Sequence, residues 1–184
     1  MKAALGCVLF AGFAFAQDLS SIAAAQGACG ASSTEFRVRT ETSQHPVLPP
    51  DAGKATVYVV LEQKFQAVRA VTARVGLDGT WVGANRGSSY LFFSTQAGEH
   101  HLCTDWISEF LPGGRLVSLA KFTADPGKTY YFRVRTSGGP SSYLKDSDRS
   151  ASIDLEPVND DEGKLLVAAS AWSNSQPKTQ RASK

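Results

Sequence analysis

The pattern of apolar and polar positions changes character three times along the chain. Residues 1–16, MKAALGCVLFAGFAFA, are apolar almost throughout after Lys2. Residues 17–53 mix small, polar and proline residues, with one alternating stretch, EFRVRT, at 35–40. There Phe36 and Val38 fall on one face and the arginines on the other, the period-two pattern of a half-buried strand. SQHPVLPPDAG at 43–53 is too rich in proline to sit inside a sheet and predicts an extended connector.

From Lys54 onward short β-branched and aromatic runs follow one another. ATVYVVLE predicts a strand buried on at least one face. AVTARVGLDG and TWVGAN flank Asp78-Gly79, a pair that tolerates the positive φ of a two-residue hairpin turn. SSYLFFST, QAGEHHLCTDWI, RLVSLAKFTA, KTYYFRVRT and SIDLEPV complete the series, with Asp125-Pro126-Gly127 presetting a tight turn. NDDEGKLLVAASAW then switches to helical spacing, with Leu165, Ala168, Ala169 and Trp172 on one face. Asn159 or Asp160 caps its start, and acids occupy the first turn. These elements predict a mainly β protein: a single antiparallel β-sandwich of about seven to eight strands with one short C-terminal helix, about 160–171. The expected division is a signal peptide at 1–16, an N-terminal arm and Pro-rich connector at 17–53, the sandwich with its helix at 54–172, and a disordered tail at 173–184.

The N-terminal run changes the picture most. Lys2 supplies a positive start, Ala3–Phe13 a short apolar run, and Ala14-Phe15-Ala16 the small residues of a cleavage site before Gln17. The run is too short for a lasting bilayer span, and Cys7 lies inside it rather than after it, which argues against a lipid anchor. The expected location is therefore periplasmic or extracellular, with no transmembrane anchor after cleavage. Cleavage leaves Cys29 and Cys103, which in an oxidising compartment permit one internal disulfide. It would close a loop of about 74 residues and stabilise the fold by roughly 4 kcal/mol in the chain-entropy picture. The alternative is two free thiols.

Charge adds little. A composition with 42% hydrophobic and 20% charged residues is that of a globular protein, and a formal charge of +2 gives no case for nucleic acid.

The densest chemistry lies in GEHHLC at 98–103. On a strand His100 and His101 point to opposite faces and cannot grip one metal. Glu99, His101, Cys103 and Asp105 share one face; His100, Leu102, Thr104 and Trp106 share the other, which the large apolar residues mark as the core side. Ligands spaced about 7 Å apart along one strand are wide for a tetrahedral site, and the remaining histidine, His45, lies in the connector. No metal site and no cofactor are expected. KDSDRS at 145–150 begins like a calcium loop, but Ala151 and Pro157 stand where glycine and glutamate are required. Phosphate-binding glycine loops and the Gly-x-Ser-x-Gly elbow are absent from the sequence, and no catalytic residues are expected. Trp81, Tyr90, Trp106 and His101 are the candidates for a ligand-binding face.

Taken together, GKATVYVV, RVGLDGTWVGANRGSSYLFFSTQAGEHHLCTDW, LAKFTADPGKTYYFRVR and LEPVNDDEGKLLVAAS resemble the domain-of-unknown-function family numbered 2846. The stretch LDGTWVGANRGSSYLFFSTQAGEHHL is also similar to PEGA-type surface β-domains. The first family consists of bacterial exported proteins, often called lipoproteins. The resemblance implies a small β-sandwich at the cell envelope and no catalytic residues. The expected function is an exported non-enzymatic module whose partner is an envelope protein or surface component. The alternatives are a domain binding a small ligand, glycan or metal, and, more remotely, an envelope hydrolase.

Overall fold

The computed structural model describes residues 27–49, 51–63, 71–107, 115–138 and 151–178. The expected signal segment with Cys7, the stretch KDSDRS and the last six residues lie outside them. In chain order the elements are β1 (Phe36–Glu41), β2 (Lys54–Gln63), β3 (Thr72–Leu77), β4 (Thr80–Arg86), β5 (Ser89–Gln96), β6 (Gly98–Ile107), β7 (Arg115–Ala124), β8 (Thr129–Gly138), β9 (Ala151–Val158), α1 (Asp160–Ala168) and β10 (Ala171–Pro177). They form a six-stranded sheet, order β1-β10-β5-β2-β8-β9, and a four-stranded sheet, order β4-β3-β6-β7.

The mainly β, two-sheet architecture follows the hydrophobic pattern, with two corrections. There are ten strands among the described residues, not seven to eight, and the larger sheet is mixed. Its β2–β8 and β10–β5 pairs are parallel. The reason lies at Asp125-Pro126-Gly127. The turn forms, with Gly127 at φ 73° and its N–H donating to the carbonyl of Lys54 at 2.8 Å. It does not fold β8 back onto β7. It carries the chain from the small sheet to the large one, where β8 docks alongside β2. The expected tail also starts too early, because Ala171–Pro177 is a strand along β1 in full register, Phe36 opposite Pro177 through Glu41 opposite Trp172.

The sheets enclose one core. Val57, Val59 and Leu61 of β2 and Phe132 and Val134 of β8 meet Ala73, Val75, Leu102 and Trp106 of the small sheet. Residues 58 and 60 of β2 point the other way and are buried as well, in a second cluster with Tyr90, Tyr131 and Val167. Two segments cover that outer face. One is α1, capped by the Asn159 side chain, which accepts from the Glu162 N–H. Its packing residues are Gly163 and Val167, whereas Leu165 is exposed, so its buried face is rotated from the expected one. A methyl group on Gly163 would fall inside the Tyr131 ring, which explains how closely the helix seats. The other cover is the Pro-rich connector. Tyr90 Oη donates to the Pro46 carbonyl at 3.1 Å, Leu48 N–H donates to Tyr58 Oη at 2.9 Å, and His45 stacks on Tyr90.

Candidate functional site

The outer face of the four-stranded sheet holds most of the chemistry-bearing side chains. Along β6 the alternation runs as the sequence predicts: Leu102 and Trp106 enter the core, and Glu99, His101, Cys103 and Asp105 take the other face. That face is not uniformly wet. Cys103 and Asp105 are 0% and 1% exposed, because residues 27–34 lie across them. The cover is covalent: Cys29 and Cys103 form a disulfide, with their Cα atoms 5.3 Å apart.

Under the arm, Asp105 is the hub of an ion cluster. The β3–β6 register sets Arg74 directly opposite Asp105. Its Nε and Nη2 donate to the two carboxylate oxygens at 2.7 and 2.5 Å, the paired geometry that suits guanidinium to carboxylate. Arg115 Nε adds a bond of 2.6 Å to Oδ2. Arg74 Nη1 donates to the carbonyls of Ser32 and Thr34, so the same guanidinium ties the arm down. Trp81 closes the cluster. Its ring lies 4.2 Å from the Arg74 guanidinium carbon, and its Nε1–H donates to Ala31 O at 2.8 Å. A bulge in the β3–β4 pairing, between Val75 and Gly76, places Trp81 opposite Gly76.

Between arm and sheet runs a groove of about 460 Å³, lined by Cys29, Gly30, Ser32, Arg115, Val117 and Leu119. Val117 and Leu119, two residues apart on β7, are 46% and 38% exposed. Further along the face Lys121 pairs with Glu99 at 2.8 Å. That bond lowers the Glu99 pKa below the ordinary carboxylate value.

His100 belongs to a different group, at the end of the β3–β4 hairpin. Its Nδ1 lies 2.6 Å from Asp78 Oδ2 and its Nε2 lies 2.8 Å from the Gln96 carbonyl, and its ring packs on Phe122. Burial resists charge on His100, but the bond to Asp78, the Gln96 carbonyl and the Asp78 charge outweigh it and raise the pKa. Burial likewise resists the Asp78 charge. The His101 N–H, the His100 bond and the two imidazoles prevail and lower that pKa.

The four sequence candidates for a ligand face therefore fall in three places. Trp81 and His101 share the outer face of the small sheet, Trp81 beneath the arm and His101 towards the hairpin turn. Tyr90 is buried on the far side of the large sheet under the connector, and Trp106 is buried between the sheets. The sequence reading missed Arg74, Arg115 and Asp78 as the partners of Asp105 and His100. The alternation in TARVGL was the signal at hand, since it puts Arg74 on the same face as Asp105. Among the described residues no three His, Cys, Asp or Glu side chains converge as metal ligands, and no helix is long and apolar enough to cross a membrane. No family model matches the chain, and neither a curated protein nor a solved structure does.

Proposed function

We propose that this is an exported, non-enzymatic module of the bacterial envelope that binds another envelope component through the outer face of its small sheet. The observation that carries this is the pair Val117 and Leu119, left exposed beside the disulfide-bonded arm and opening onto a groove. An aliphatic pair set against a groove and rimmed by charge is the kind of surface that marks an interaction site. The ionisable groups around it hold the fold. Asp105 is engaged by two arginines, Asp78 by His100, and Glu99 by Lys121. A disulfide fits an oxidising compartment, as do the leader-like first sixteen residues and the motif resemblance to family 2846.

A photo-crosslinking residue at Leu119, compared with one at the exposed Leu165 on α1, tests the reading in envelope fractions. A discrete adduct from position 119, lost with Val117→Asp and absent from position 165, is the expected result. Equal labelling from both positions, or turnover of a hydrolase substrate by the pure protein, would overturn it.

A further inference from the structure

We infer that the groove between the arm and β7 binds an aliphatic monocarboxylate, an acyl chain seated on Val117 and Leu119 with its carboxylate on Arg115. The inference rests on the reading of this face as the binding surface and names the chemistry of what it takes.

Charge supplies the first argument. Two guanidinium groups, Arg74 and Arg115, meet one carboxylate, Asp105, which leaves one positive charge in the cluster. Arg74 is spent, with its Nε and Nη2 on Asp105 and its Nη1 on the carbonyls of Ser32 and Thr34. Arg115 is not. Its side chain is 33% exposed and lines the groove, and only its Nε is hydrogen-bonded among the described residues. Its two terminal nitrogens present a donor pair matched to a carboxylate. Ser32, an exposed residue, lines the same groove.

Shape and polarity supply the second. Arg115, Val117 and Leu119 project from one face of β7, spanning about 13 Å from the cation to the last aliphatic side chain at ordinary strand rise. The wall is therefore charged at one end and aliphatic along the rest, and the groove volume is within the range of small-ligand sites. β7 is the outer strand of the small sheet, but the groove is lined by its side chains, so a peptide seated in the groove rather than along the strand edge would leave its backbone N–H and C=O groups unpaired. An acyl chain carries no such groups, which is why we assign the site to it.

Decanoate below its micelle concentration is the probe, with decanol as the uncharged control, titrated into the oxidised full-length protein by calorimetry and followed by NMR of the Leu119 and Val117 methyl groups. Decanoate is expected to bind at least tenfold more tightly than decanol and to shift those methyls. Arg115→Gln should lose that advantage with decanol binding unchanged. Leu119→Ser, a surface change that leaves the ion cluster alone, should weaken both ligands. Decanoate binding no tighter than decanol, or insensitive to both substitutions, overturns the inference. A protein adduct at position 119 without decanoate binding would overturn the ligand assignment alone and leave the binding face standing.

Discussion

Trp81 lies flat against the backbone of Gly30, so near that a methyl group there would overlap the indole ring at Cδ1. Gly76 also lies close, where an added methyl would meet the ring at Cε3, 3.2 Å away. The indole is thus held in a slot made by two glycines, with its N–H on Ala31 and its face on Arg74. Gly30→Ala should push Trp81 out of that slot and loosen the arm, costing about 1–3 kcal/mol as overpacking does. Gly27→Ala, where nothing lies within 4 Å, should stay within about 0.5 kcal/mol of wild type. Urea denaturation midpoints compare the two, and equal losses would show that the slot is not what fixes the arm.

The Cys29–Cys103 bond spans 74 residues and holds the arm over Asp105. Intact mass with and without reductant should differ by two hydrogens. Cys29→Ala should cost about 2–5 kcal/mol, the usual range for a native disulfide of a small domain. It should also raise amide exchange at residues 29–34 more than in β2. Unchanged exchange in the arm would mean that Trp81 and Arg74 suffice to hold it.

How far the sequence showed this arrangement depended on how local each signal was. Asp78-Gly79 was legible because a two-residue turn needs positive φ at both positions, and the chain adopts 48° and 83° there. The β6 alternation was legible for the same local reason. Strand β10 was not: AWSNSQP is polar and ends in proline, and only Ser173 of it is fully buried. It is extended because β1 and β5 pair with it from either side, a long-range condition that no seven-residue pattern carries. The second core was half visible. VYVVLE announced a buried strand, but that Tyr58 and Val60 would be covered by a connector and a helix depended on where those segments landed. Within the candidate site, Cys103 and Asp105 were placed on the correct face. The cover over them was not foreseen beyond the disulfide, because Trp81 reads as a free aromatic until Gly30 and Gly76 are brought against it.

Asp105 and Arg74 are 1% and 8% exposed at the side chain, so neither can be lost without leaving the other charged and dry. Asp105→Asn should destabilise by about 3–5 kcal/mol, the range for breaking a buried pair. Asp105→Leu combined with Arg74→Met should lose less than the sum of the two single changes, because the charge that remains, on Arg115, is one-third exposed rather than buried. A complete double-mutant cycle by denaturation measures this. Strict additivity would show that Arg115 and the arm carbonyls, rather than the mutual pair, satisfy the two groups.

His100 has an acceptor at each ring nitrogen, a carboxylate oxygen of Asp78 and the Gln96 carbonyl, an arrangement that favours imidazolium, which donates from both. A histidine whose folded pKa is raised adds stability that is full below its unfolded value, near 6.5, and is lost as pH rises through the raised folded value. Asp78 has the opposite sign. Its folded pKa lies below 3.8, so its contribution is present above that value and is lost as pH falls through the lowered one. The pair should therefore hold the β3–β4 hairpin best between the two ranges, from just above pH 4 to about 6.5, and fade on the alkaline side. Asp78→Asn keeps a residue type that tolerates positive φ while removing the charge. The stability difference between wild type and this variant should be largest in that window and shrink as His100 deprotonates. An NMR titration of the His100 ring in wild type should give a midpoint above 6.5 that drops in the variant. A midpoint at or below 6.5 in wild type would mean that burial, not Asp78, governs this histidine.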